Sequence, residues 1–77
     1  MIDKKYKVTV VGSGYVGMAM SVLLAQKCDV KVYDIDKDRI KLINQKCSPV
    51  NEKGIEEFIN DKNLEIYATS NKEEAFE

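Results

Sequence analysis

The chain alternates short runs of β-branched residues with segments in which apolar side chains recur every three or four positions. The first run, Lys7–Val11, is nearly continuous in valine and threonine, which is typical of a strand buried on both faces of a parallel sheet. A second run, Asp29–Tyr33, alternates valine with lysine, and residues 64–69 form a third candidate. The pattern predicts three strands separated by helices.

Helical periodicity follows each of the first two strands. The first helix is predicted over residues 15–27, because apolar residues recur there at helical spacing: Val16, Met20, Leu23 and Leu24, supported by Ala19 and Ala25. The second helix is predicted over residues 37–46, with Asp36 as its N-cap and with Ile40 and Ile43 on its buried face.

Two further helical segments follow. Pro49 ends the second helix, and Asn51 is the predicted cap of a short helix with an inward stripe of Ile55, Phe58 and Ile59. Ser70 or Asn71 is expected to cap another helix from Lys72, and we expect the chain to stop inside that element.

Alternating strands and helices predict parallel pairing through right-handed crossovers, in the sheet order 3-2-1 with flanking helices. This α/β arrangement is the first half of a Rossmann domain, so residues 1–77 are predicted to be a partial domain, truncated before a fourth strand. The apolar edge at residues 8–11 would then lie open. We expect self-association or element swapping there, and strictly monomeric sedimentation at high concentration would contradict it.

Composition narrows the possible classes of protein. The 77 residues suffice for one small domain, and 44% hydrophobic with 32% charged residues indicate a globular chain. A net charge of −1 gives no electrostatic reason to expect nucleic acid or an anionic membrane as partner. The chain shows no signal peptide and no membrane-length apolar run, so we expect a cytoplasmic protein.

The chain offers no metal or catalytic constellation. It contains two cysteines, Cys28 and Cys47, and no histidine. We therefore predict no metal site and two reduced thiols, and we assign no catalytic residue, because no base neighbours either cysteine.

A glycine-rich turn, Gly-Ser-Gly-Tyr-Val-Gly over residues 12–17, follows the first strand directly. Gly12 permits the sharp turn, and Gly14 lets the backbone approach a pyrophosphate because it has no Cβ. Gly17 lets the helix pack closely on the strand and direct its N-terminal N–H groups at the phosphates. Strand, glycine turn and helix in this order predict a dinucleotide site.

Asp34 directly follows the second strand, 17 residues after Gly17, close to the spacing of about 20 expected for the acid that binds an adenosine ribose. Its carboxylate also repels a 2′-phosphate, so we predict NAD rather than NADP as the cofactor. Alone, the glycines could serve only a tight turn and Asp34 could merely cap the next helix. Their order and spacing together favour a cofactor site.

The glycine turn resembles that of the NAD-dependent UDP-glucose 6-dehydrogenases, within the nucleotide-sugar dehydrogenase group. The resemblance covers essentially the whole chain and includes residues 32–36, Arg39, Ile40, Leu42 and residues 48–50, 55–59, 68–69 and 72–75. Residues 48–59 are more discriminating than the glycines, because generic dinucleotide folds lack this segment.

The resemblance implies an enzyme that oxidises the 6-hydroxymethyl group of UDP-glucose to a carboxylate, with two hydride transfers to two NAD. The implied cofactor contacts are Gly12, Gly14, Tyr15, Val16 and Gly17 at the pyrophosphate, Asp34 at the adenosine ribose, and Arg39 at the same end of the cofactor. Arg39 has an alternative interpretation as a solvated charge on a helix.

The resemblance also implies that the catalytic residues lie beyond this chain. The cysteine nucleophile of these enzymes matches neither Cys28 nor Cys47. We expect the chain alone to be inactive, because it also lacks the sugar-binding domain and half of the cofactor cleft. The parent enzyme is expected to be a homodimer that uses a UDP-sugar.

Three alternatives remain open. One is a nucleotide-sugar dehydrogenase acting on UDP-N-acetylmannosamine or GDP-mannose, which shares the glycine turn and the acid. Another is an NAD-sensing regulatory domain of a potassium transporter. The predicted helix at residues 55–59 argues against this alternative. The last is a structural fragment without retained binding.

Overall fold

The computed structural model describes residues 6–61 and 64–76, which form three strands and four helices. The strands are β1 (Lys7–Val11), β2 (Asp29–Tyr33) and β3 (Ile66–Thr69), and the helices are α1 (Tyr15–Leu24), α2 (Lys37–Asn44), α3 (Lys53–Ile59) and α4 (Lys72–Ala75). The first two strands have the predicted bounds. The third begins two residues later than predicted, at Ile66.

The strands form one parallel sheet with β2 in the centre. Val30 of β2 lies opposite Val8 of β1 and Ile66 of β3. This order confirms the predicted 3-2-1 sheet of a half Rossmann domain. The carboxyl ends of all three strands meet at one edge of the sheet, which is where open α/β sheets bind their ligands.

The hydrophobic core lies on the face of the sheet to which Val30 and Val32 point. Both valines are buried, because successive side chains of a strand point to opposite faces and this face is covered by helices. The core cluster also contains Met18, Val22, Ala25, Ile43, Val50, Ile55, Ile59, Leu64 and Ala68. This cluster connects α1, α2 and α3 to the strands and so fixes the start of α1 relative to β2.

The other face of the sheet carries the short helix α4. Its last carbonyl groups accept hydrogen bonds from the strands: Lys31 Nζ donates to Glu74 O (2.7 Å) and Thr9 Oγ donates to Ala75 O (2.5 Å). These side chains supply donors where the helix itself leaves carbonyls unpaired. Thr9 of β1 and Lys31 of β2, which alternate with valine, therefore have a structural partner in α4.

The apolar positions predicted for α1 are wrong at three places, whereas Ala19 and Leu24 are partly buried against the core and Ala25 is buried. Val16, Met20 and Leu23 are 79%, 49% and 62% exposed, and the structure instead buries the face that contains Met18, Ser21, Val22 and Ala25. Ser21 is tolerated there because its hydroxyl donates to the carbonyl of Gly17 (2.7 Å). The small side chains Ser21 and Ala25 on this face let the helix lie close to the sheet, and apolar periodicity alone does not show which face does so.

Helix ends also differ from the sequence prediction. The first helix stops at Leu24, three residues early, because Lys27 N bonds to Leu24 O in a tighter turn (3.0 Å). The second stops at Asn44, close to Lys46, whose φ of 64° is left-handed. In both cases the chain changes conformation where apolar periodicity still allowed a helix.

The short helix α3 begins at a different cap from the one predicted. Glu52, and not Asn51, is its N-cap, since the Glu52 carboxylate accepts from Gly54 N (3.1 Å). Ile55 and Ile59 are buried as predicted, whereas Phe58 is 44% exposed, so its placement on the inward stripe is wrong. The caps predicted at Asp36 and Asn71 are confirmed.

Within the described residues, β1 pairs with β2 alone. The self-association expected through this edge stays a prediction. The part of the chain that the structure describes contains no helix with the length and apolar content needed to cross a bilayer.

Candidate NAD-binding site

The glycine turn is built into the sheet edge by backbone geometry. Gly12 has a φ of 99°, a conformation that side-chain-bearing residues rarely adopt, and its N–H donates to Tyr33 O at the end of β2 (2.7 Å). A Cβ on Gly17 would lie 2.1 Å from the carbonyl oxygen of Gly12. A Cβ on Gly14 would meet nothing within 4 Å, so Gly17 serves internal packing while the space over Gly14 is open.

The N-terminus of α1 differs from those of the other helices formed by the described residues. Side chains of Asp36, Glu52 and Asn71 cap α2, α3 and α4. The N-cap of α1 is Gly14, which has no side chain to cap the helix, and the first backbone bond joins Met18 N to Gly14 O (2.9 Å). The N–H groups of residues 15–17 thus have no acceptor inside the helix, and such groups attract an anion.

Asp34 extends from the end of β2 to the glycine turn. Its Oδ2 accepts two hydrogen bonds from Ser13, one from the backbone N–H (2.8 Å) and one from the hydroxyl (2.5 Å). Its Oδ1 accepts from Asp36 N (2.9 Å). These bonds bring the strand-end acid and the glycine turn, 21 residues apart in sequence, into one site.

The site keeps Asp34 ionised. Burial raises the pKa of this carboxyl, but hydrogen bonds from the Ser13 hydroxyl and from the backbone of Asp36 and Ser13, together with the Arg39 charge, outweigh that effect. The pKa of Asp34 therefore lies below its ordinary value. At neutral pH the group is a carboxylate that can accept hydrogen bonds from a ligand.

The predicted site residues occupy one end of the sheet. Gly12, Gly14 and Gly17 form the turn, and Tyr15 and Val16 begin α1 with 56% and 79% of their surface exposed. Arg39 lies in the first turn of α2, where its Nε is 3.6 Å from a carboxylate oxygen of Asp36. Arg39 thus adds positive charge beside Asp34 while paired to a neighbouring acid.

Residues 6–77 match the family model described as the UDP-glucose/GDP-mannose dehydrogenase family, NAD binding domain. The chain belongs to this family. Residues 6–77 are accordingly part of an NAD-binding domain, and NAD is the cofactor of this domain. The dehydrogenase family is favoured over the nucleotide-sensing domain of a transporter.

Two relatives of this NAD-binding domain carry the name UDP-glucose 6-dehydrogenase. The protein from Streptococcus pneumoniae is 43% identical over 63 residues, which are 82% of this chain and 16% of the relative. The protein from Campylobacter jejuni is 39% identical over 72 residues, which are 91% of this chain and 18% of the relative. The chain therefore spans less than a fifth of the length of these relatives.

Sequence reasoning missed two contributors to the site of this NAD-binding domain. Ser13, between the first two glycines, is fully buried and holds Asp34 by two bonds, and the backbone of Asp36 supplies a third. The sequence does show that Ser13 lies inside the glycine turn, where its short hydroxyl side chain can reach only groups close to the turn. Its partner could be found only from the tertiary structure.

Proposed function

We propose that residues 12–17 and Asp34 hold NAD in an enzyme that oxidises UDP-glucose to UDP-glucuronate with two NAD. The observation that carries the cofactor site is the pair of bonds from Ser13 to Asp34, because they bring a carboxylate beside the open N-terminus of α1. This combination matches a dinucleotide, which presents a pyrophosphate and a ribose at a fixed separation.

The pyrophosphate is proposed to lie over Gly14, against the N–H groups at the start of α1. The open space at Gly14 permits a close approach, and the unpaired N–H groups with the positive end of the helix dipole stabilise the negative charge. Tyr15 and Val16 are placed at the same point, and Gly12 and Gly17 shape the turn. NAD, once bound, supplies the acceptor of a hydride.

The adenosine ribose is proposed to donate one hydroxyl hydrogen to Asp34. A carboxylate has about four lone-pair positions, and three bonds from protein donors leave one on Oδ1. Arg39 is proposed to approach the same end of the cofactor. The negative charge of Asp34 disfavours a 2′-phosphate, which supports NAD rather than NADP.

The identity of the sugar substrate is supported by the relatives and by residues 48–59. Both named relatives are UDP-glucose 6-dehydrogenases. The family description also includes GDP-mannose, so a GDP-mannose enzyme is the second candidate. The residues that react with the sugar are proposed to lie outside this chain, in a cytoplasmic homodimer of which residues 1–77 form part of the NAD-binding domain.

Calorimetric titration tests the cofactor site of this chain. We expect NAD and ADP-ribose to bind with similar dissociation constants of about 1 mM, which corresponds to roughly −4 kcal/mol, because the described site contacts the adenosine half. NADP should bind more weakly, and nicotinamide mononucleotide should give no heat. Equal affinity for NAD and NADP, or no heat with NAD, would contradict the proposal.

The substrate is tested with an enzyme that contains this domain. UDP-glucose should yield two NADH per sugar, measured by absorbance, while GDP-mannose and UDP-N-acetylmannosamine should yield none. Turnover of GDP-mannose without turnover of UDP-glucose would replace the first candidate by the second.

A further inference from the structure

Ser13 is fully buried, and both of its donors are engaged by one carboxylate oxygen. Its exposed fraction is 0%, and its N–H and hydroxyl both donate to Oδ2 of Asp34. A side chain without exposed surface cannot touch a bound ligand unless the turn moves. Any effect of the Ser13 hydroxyl on ligand binding must therefore pass through Asp34.

We propose that Ser13 is a positioning residue, which occupies Oδ2 of Asp34 and thereby directs the cofactor ribose to Oδ1. The inference rests on the proposed function, since a ribose ligand of Asp34 is its premise. An aspartate at the end of a strand has rotamer freedom, and ordering it on ligand binding would cost entropy. The two bonds from Ser13 remove that cost before the ligand arrives.

The hydroxyl bond is separable from the backbone bond. Removing the hydroxyl leaves Oδ2 with one donor, so the carboxylate loses one of the two contacts that fix its orientation on the side of the glycine turn. Asp36 and Arg39, at the start of α2, are charged residues beside Asp34. The glycine turn at residues 12–14 and the loop residues Ser70 and Asn71 after β3 carry no charge.

The experiment compares Ser13→Ala, Ser13→Cys and Ser13→Thr in the whole chain. Carbon-13 NMR follows the carboxyl of Asp34 during a pH titration, and calorimetry gives the affinities for NAD and ADP-ribose. Cysteine has nearly the size of serine but is a weak donor, so Ser13→Cys keeps the buried space filled if Ser13→Ala fails to fold. Threonine retains the hydroxyl.

In Ser13→Ala and Ser13→Cys we expect the pKa of Asp34 to rise towards its ordinary value, because a hydrogen bond to the charged form is lost. Affinity for NAD and for ADP-ribose should fall about tenfold, the loss expected for one hydrogen bond to a charged group. Ser13→Thr should restore both properties. A role in packing alone would lower stability without moving the pKa of Asp34.

Two results would overturn the inference: an unchanged pKa of Asp34 in Ser13→Cys, or a raised pKa with unchanged NAD affinity. The second would show that the bond exists but has no effect on the ligand. The proposed function fails separately, through absence of NAD binding by the chain with Ser13 intact. The NMR titration reports on Ser13 and Asp34 without any ligand, so the two failures are distinguishable.

Discussion

Replacing Gly17 by alanine should destabilise the chain by about 3 kcal/mol, the upper part of the range for forcing extra atoms into a packed interior. The new Cβ would lie 2.1 Å from the carbonyl oxygen of Gly12. That oxygen belongs to backbone, and Gly12 is itself tied to Tyr33 O. The clash between the added Cβ and the Gly12 carbonyl can therefore be removed only if α1 moves away from β1. That movement would loosen the packing of Met18 and Val22 against the sheet.

Urea denaturation followed by circular dichroism measures this loss as a lower midpoint with an unchanged slope. A midpoint equal to that of the unmodified chain would show that the contact between turn and helix is not required. The effect should be large relative to total stability, because a domain of this size has a small margin between folded and unfolded states.

Two other glycines provide matched controls. Gly54→Ala places its Cβ 3.5 Å from Glu52 Oε1, an ordinary contact in the first turn of α3, so stability should be unchanged or slightly higher. Gly14→Ala meets nothing within 4 Å and should also fold normally. Its methyl group occupies the proposed path of the pyrophosphate, so Gly14→Ala should lower NAD affinity where Gly54→Ala does not.

Asp34→Ala should have the largest effect on ligand binding. The variant loses the proposed charge-assisted bond to the ribose, worth about 1.5–3 kcal/mol, so affinity for NAD should fall roughly 10- to 150-fold. The repulsion of a 2′-phosphate disappears as well, and the preference for NAD over NADP should collapse. Calorimetric titration with both dinucleotides measures the two effects.

A second acid controls for the change in net charge. Asp38 lies exposed in the first turn of α2, and Asp38→Ala removes the same charge without touching the glycine turn. Its NAD affinity should stay within about twofold of the unmodified chain, as expected for a screened surface charge. Equal losses in Asp34→Ala and Asp38→Ala would indicate a general electrostatic effect and would remove the ribose assignment.

The pH dependence of binding follows from the pKa of Asp34. Hydrogen bonds and the Arg39 charge hold that pKa below its ordinary value despite burial, so the carboxylate persists into more acidic solution than an isolated aspartate would. NAD affinity should therefore stay constant on acidification from neutrality and decrease only as pH falls through the lowered pKa. In the unfolded chain Asp34 protonates at its ordinary, higher pKa. The stabilisation that the Asp34 carboxylate gives the fold is therefore complete above that ordinary pKa and is lost as the pH falls through the lowered pKa.

The sequence predicted the elements whose signals are local. β1 and β2 were predicted with correct bounds because runs of β-branched residues favour strands over helices, and Asp36 was identified because a cap acts on the next three residues. The glycine turn followed by Asp34 predicted an NAD site because their order and spacing can be read directly from the sequence. Each of these inferences requires only neighbouring residues or a fixed spacing.

The remaining features depend on packing between distant segments. α1 carries apolar residues on two faces, and the choice of the face with Met18 and Val22 depends on the close approach of Gly17 to Gly12, which periodicity does not encode. Ser13 follows β1 and Asp34 follows β2, and the two residues meet only because these strands pair in parallel. The sequence thus indicated that the glycine turn and Asp34 belong together, but not the bonds between them.

Because β2 is the central strand, the two parts of the candidate site are held by different numbers of strand pairings. β2 is bonded to a neighbour on each side, and Asp34 follows it, while the glycine turn follows β1, which within the described residues has one bonded side. Amide hydrogens of a doubly paired strand exchange with solvent more slowly than those at an edge. We therefore expect Asp34 to be anchored to the part of the sheet that exchanges slowly, and local fluctuations of the chain to be larger at the glycine turn.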